Sequence, residues 1–169
     1  GLGASNIVGG VVGLASGAAD FEDVRHEGDV TGTNAATGGV IGRANLSFDL
    51  VRGEHHGKVR GAVATGGIAG SVTLDTTLQQ VSTSGEVEAT GQYAGGVVGI
   101  LTPGAATMAT IEEARRVGGV TSLDGYVGGI VGMSTGAISV TDVTVDGDVS
   151  AGASGYAGGV IGLVVAPSY

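Results

Sequence analysis

One pattern limits what this chain can fold into more than any other. Gly-Gly-x-x-Gly occurs six times, starting at Gly9, Gly38, Gly66, Gly95, Gly128 and Gly158. Successive copies lie 29, 28, 29, 33 and 30 residues apart. The enclosed pair is aliphatic every time: Val11-Val12, Val40-Ile41, Ile68-Ala69, Val97-Val98, Ile130-Val131 and Val160-Ile161. A second pattern runs in phase with the first. Gly-x-Val begins at Gly28, Gly57, Gly85, Gly118 and Gly147, 19 residues after the double glycine in four units and 23 after it in the fourth. Its middle residue is Asp29, Lys58, Glu86, Gly119 or Asp148, an outward-facing set. Its last residue is Val in every copy and reads as inward-facing. Alternation at period 2 is the mark of strands.

A unit this short cannot bury its own apolar face, so the copies must stack, each covering the one below. The expected fold is all-β: a β-solenoid of about five and a half repeats of roughly 29 residues, forming one domain over residues 1–169. Composition fits that expectation. There is no Trp and no Cys, with two Phe and four Tyr, yet 42% of residues are hydrophobic and 36 are Gly. A core of Val, Ile and Ala is thin, and β-branched side chains suit a pleated surface. Glycine disfavours the alternative, costing roughly 1 kcal/mol at each interior helical position. Glycines in register would form columns where the backbone turns with positive φ or where two backbones approach closely.

The order Gly-Gly-(Val/Ile)-x-Gly, then Gly-x-Val, then Gly-Gly again resembles the GLUG repeat of bacterial surface proteins, from Val8 to Gly162. Val, Ile or Ala69 stands where that family commonly carries Leu-Val. The resemblance implies a secreted protein, extracellular or at the cell surface. It implies no ligand, because the motif is structural.

Lys and Arg number 7 against 16 Asp and Glu, a net charge of −9. Such a surface repels polyanions, so neither nucleic acid nor membrane insertion is expected. Without Cys there is no disulfide framework and no thiolate metal site. No apolar run approaches the roughly 18 residues of a membrane-spanning helix. The sequence opens in the first fixed segment and closes in a copy of it, with no recognisable polar cap. Solenoids normally carry caps, because an open coil exposes unpaired strand edges. Self-association through open ends is therefore expected, or contact with neighbouring repeats of a longer chain. The apolar run from Gly158 to Ala166 is expected to finish the last coil; donation of a strand to a neighbour is the alternative.

Residues with chemical potential are few. His26 and His55 share one repeat position, 17 residues after their double glycines, and Glu27 and His56 follow them. Two imidazoles and a carboxylate suit a metal, but Thr83 and Val145 at the same position elsewhere break the column. An exposed pair on a solvated face is expected. Asp20, Glu22, Asp23 and Glu27 crowd one connection, and Asp142, Asp146 and Asp148 another. No aromatic platform accompanies them and they change from unit to unit, so solvated charge is expected rather than an acid–base pair. An ice-binding array would need a regular Thr column, and the best outward one reads Thr31, Arg60, Glu88, Thr121 and Ser150. The glycines from Gly1 to Gly13 imitate a dinucleotide loop but lack its βαβ setting. Residues 101–108 hold the extra length of the fourth unit, with a Pro103-Gly104 turn signal, and are expected to form a displayed loop. No catalytic, cofactor-binding or metal-ligating residue is assigned. The expected function is a structural repeat module of a secreted bacterial surface protein or extracellular filament. A glycan- or host-protein-binding adhesin module and a carbohydrate-active β-helix enzyme are the alternatives.

Overall fold

A computed structural model describes residues 6–165. They form a β-solenoid of five complete coils and part of a sixth, with parallel pairing throughout and no helix. Each coil has four faces, seen in the second coil as strands Ala36–Gly38, Ile41–Ala44, Phe48–His56 and Val59–Gly61. Equivalent strands stack into four sheets running along the axis. The register follows the sequence repeat: Val59 pairs with Val30, Val87 with Val59, Val120 with Val87 and Val149 with Val120. Backbone amides bond from coil to coil, as in Val30 N to Lys58 O at 2.8 Å and Val59 N to Glu86 O at 2.8 Å. Each coil therefore satisfies the strand edge of the one beneath it, at an inter-strand spacing of about 4.8 Å.

The expected residues are inside. Val40, Ile41, Ile68, Ala69, Val97, Val98, Ile130 and Val131 are all buried. They join a core between the second and third faces, where Leu50, Leu78 and Ile111 stack in one column. A second cluster, built on Val30, Val59, Val87 and Val120, lies between the fourth and first faces with Ala89, Ala94 and Val127. Burying a side chain of this size contributes about 1.5–3 kcal/mol, so many small aliphatics replace a few aromatics.

The glycines divide their work as the stacking requires. Gly28, Gly57, Gly85, Gly118 and Gly147, which open the Gly-x-Val triplets, have φ between 106° and 149° and form the corner column. The double glycines serve close approach. A Cβ on Gly38 would lie 2.0 Å from the Ile41 carbonyl oxygen. The extra residues of the fourth unit leave the coil as a loop over residues 103–107, with Ala105 and Ala106 exposed and Pro103 buried.

The third face differs from a simple strand. Its first two copies, Ala19–Glu27 and Phe48–His56, run nine residues, while later copies split in two. Midway, Asp23, Arg52, Gln80, Glu113 and Asp142 all take positive φ, between 51° and 57°. Non-glycine residues adopt this left-handed conformation rarely, and here it repeats in all five coils. The bend resets the alternation: Phe48 and Leu50 point inward before it, Gly53 and His55 after it.

Candidate functional site

That bend decides where the histidines go. His26 and His55 do stack in adjacent coils, with ring centroids 5.1 Å apart and planes within 10°. The pair is not on a solvated face, which corrects the reading from sequence. His55 is fully buried and His26 partly so. Simple alternation through the third face would turn His55 outward; the left-handed residue at Arg52 turns it inward.

His26, His55, Thr83, Arg116 and Val145 form one interior column, in register through five coils. The second glycine of each Gly-Gly pair stands opposite. A Cβ on Gly39 would lie 2.3 Å from His55 Cγ, one on Gly96 would lie 2.6 Å from Arg116 Cδ, and one on Gly129 would lie 2.7 Å from Val145. The missing Cβ atoms leave the room that these side chains fill. Residues as different as Val and Arg occupy one column because the glycine, not the column residue, is fixed.

Four of the five column residues are polar. His26 Nδ1 and His55 Nδ1 are 3.0 Å apart, so one ring donates and the other accepts. Burial, and next the charge of His26, push His55 down to about 4; the backbone of Gly57 pulls the other way, yet no hydrogen bond reaches Nε2. His56 points away and meets the Ser84 hydroxyl at 2.7 Å. Glu27 is exposed and tied to Arg25. The metal-binding set considered from sequence is thus dispersed over two sides of the sheet. Among the described residues, no three His, Asp or Glu side chains come together as a metal-binding group. Thr83 donates to the Gly96 carbonyl at 2.9 Å. Arg116 is wholly buried with no carboxylate beside it. Its guanidinium donates to the carbonyls of Gly85 at 2.6 Å, Gly119 at 2.8 Å and Val117, closing the corner of the coil. Burial lowers its pKa to about 10.

The acidic residues lie on the surface, as the sequence suggested. Arg52 holds both Glu22 and Asp23 from the next coil, and its hydrogen bond lowers the pKa of Asp23. Lys58 bridges Glu86 at 2.9 Å and Glu88 at 3.1 Å, raising the lysine and lowering Glu86. Exposed pairs of this kind contribute little singly, because solvent screens them. Thr31, Arg60, Glu88, Thr121 and Ser150 do form one outward column, with Arg60 and Glu88 joined at 3.4 Å. Two readings reach past the described residues: Gly1 and Gly3 of the dinucleotide-like string, and Ala166 at the end of the apolar run.

One surface feature escaped the sequence reading. Tyr93, Tyr126 and Tyr156 occupy one register position on the first face and stack, with ring centroids 5.9 and 5.6 Å apart and planes within 16°. The signal was available, since each tyrosine stands two residues before a double glycine.

Comparison with known proteins finds no family model, curated protein or solved structure that matches this chain.

Proposed function

We propose that the chain is a non-enzymatic structural module of a secreted bacterial protein, extracellular or at the cell surface, in which the solenoid supplies length and stiffness. The observation carrying this reading is the continuity of the interior columns. Residues of one column that are buried in the middle coils are open at the outer ones: Val40 and Val97 are 1% and 0% exposed, but Val11 is 46% and Val160 38%. Val164 on the second face, in one column with the buried Ala44, Val72, Leu101 and Ser134, is likewise exposed. Apolar interior of this kind calls for further coils above and below, either neighbouring repeats of a longer chain or a second copy stacked end to end. The polar groups support a structural role. Thr83 and the terminal guanidinium nitrogens of Arg116 are spent on backbone carbonyls, and the surface acids of the first three coils are largely engaged by Arg and Lys. The secreted setting rests on the resemblance of the repeat to GLUG sequences.

Negative-stain electron microscopy across a concentration series tests end-to-end stacking. Fibres of constant width that lengthen with concentration are expected if copies cover each other's ends. Discrete short particles at every concentration would refute the filament and leave a stalk or adhesin module within a longer chain.

A further inference from the structure

The tyrosine ladder is not needed to build the fold. The position held by Tyr93, Tyr126 and Tyr156 in the last three coils is held by Ile7, Ala36 and Ala64 in the first three, with the same parallel pairing. Small or aliphatic residues therefore complete this corner as well as tyrosine does. The aromatics nonetheless form a continuous run, half-buried at Tyr93 and Tyr126 and 63% exposed at Tyr156 in the last coil.

The ring geometry leaves apolar surface uncovered. Stacked strands are about 4.8 Å apart, and the ring centroids are 5.9 and 5.6 Å apart. The rings are therefore displaced sideways as they rise, as stacked aromatic pairs prefer. The result is a staircase in which part of each ring face stays open. An open groove of about 450 Å³ runs beside it, lined by Tyr93, Tyr126, Gln92, Asp124 and Ser154. The side chains of Gln92, Asp124 and Ser154, and the three phenol hydroxyls, make no hydrogen bond among the described residues. These donors and acceptors line the groove beside the aromatic rings.

From this geometry we infer that the corner between the fourth and first faces, in the last three coils, binds an uncharged polysaccharide. Aromatic faces accept the C–H faces of sugar rings, while Gln92, Asp124 and Ser154 offer hydrogen bonds to hydroxyls. Charge selects against other occupants. No Lys or Arg lines the groove, Asp124 does line it, and the chain carries −9, so an anionic polymer is repelled. The groove is shallow and half polar, which suits a flat hydroxylated chain better than an apolar ligand. Recurrence at each coil favours a repeating polymer over a single small molecule, since contacts add along the axis.

The chain reports on this site directly. It has no Trp, and three of its four Tyr are in the ladder, so tyrosine emission follows the ladder. The protein is titrated with cellohexaose, xylohexaose and mannohexaose, and with sulfated dextran as an anionic control. A saturable emission change is expected with at least one neutral hexasaccharide and none with sulfated dextran. Tyr126→Ala, which installs the residue found at Ala64, is expected to weaken binding at least tenfold while the far-UV spectrum and urea midpoint stay near wild type. Tyr126→Phe keeps the stack and should retain binding within about threefold. Failure of all three neutral hexasaccharides to bind at millimolar concentration overturns the proposal. So does binding that survives Tyr126→Ala, or a preference for the sulfated polymer.

Discussion

Acidification should weaken this solenoid through His55, the buried member of the interior imidazole pair. His55 titrates near 6.5 in the unfolded chain, and burial beside His26 lowers it to about 4 in the folded one. The unfolded state therefore takes up a proton below pH 6.5 that the folded state refuses until about pH 4. The stabilising contribution is complete above pH 6.5, falls through the window between the two values, and is exhausted below it. At 1.36 kcal/mol per pH unit the whole effect is about 3 kcal/mol, a substantial part of the roughly 5–15 kcal/mol that holds a typical domain together. Nearby charges act in the same direction, because His26, His56 and Arg116 all disfavour a cation at His55. The informative variant is His55→Thr. Thr83 fills the same column one coil further on and bonds the Gly96 carbonyl, so threonine fits the position without a titrating group. Urea unfolding followed by circular dichroism at pH 7, 5.5 and 4 gives the slope. Wild type should lose about 3 kcal/mol more than His55→Thr across this range, a midpoint difference of about 1.5 M urea for a denaturant slope near 2 kcal/mol/M. Comparing slopes cancels the surface carboxylates, which both proteins share. Equal slopes would show that His55 is not held neutral by its surroundings, and the buried column would need another account.

Three further variants separate the roles of glycine and of the loop. Gly39→Ala places a Cβ 2.1 Å from the Gly67 carbonyl oxygen and 2.3 Å from the His55 ring; it should cost more than about 3 kcal/mol, whereas Gly17→Ala, with nothing within 4 Å, should stay within about 0.5 kcal/mol in thermal unfolding. Replacing Pro103–Met108 with the two-residue Leu-Asp connection found at Leu74–Asp75 should change stability by less than about 1 kcal/mol, because loop length alone is a weak term; a larger loss would show that buried Pro103 is part of the core.

Much of the architecture can be read from the sequence because the information is local and repeated. Gly57 must be glycine, with its φ of 149° and the carbonyl of Gly28 lying 2.3 Å from where a Cβ would stand, and the same demand returns in each coil. Val59 must be apolar because it rests on Val30 and carries Val87. Period and columns followed from such positions, and so did the outward charges and the displaced loop of the fourth unit. What the sequence could not decide is which way side chains point beyond the bend in the third face. Asp23, Arg52, Gln80, Glu113 and Asp142 share a left-handed conformation without sharing a residue type, so no motif announces it. It is imposed by stacking, since each coil must follow the path of its neighbour to keep the ladder of hydrogen bonds. The bend sends His55 and Arg116 into the interior against a column of glycines, and buries a histidine whose spacing alone suggested a surface. The tyrosines illustrate the same division. Their places in three successive units are written in the chain, but only the parallel register brings them into one ladder beside Gln92, Asp124 and Ser154.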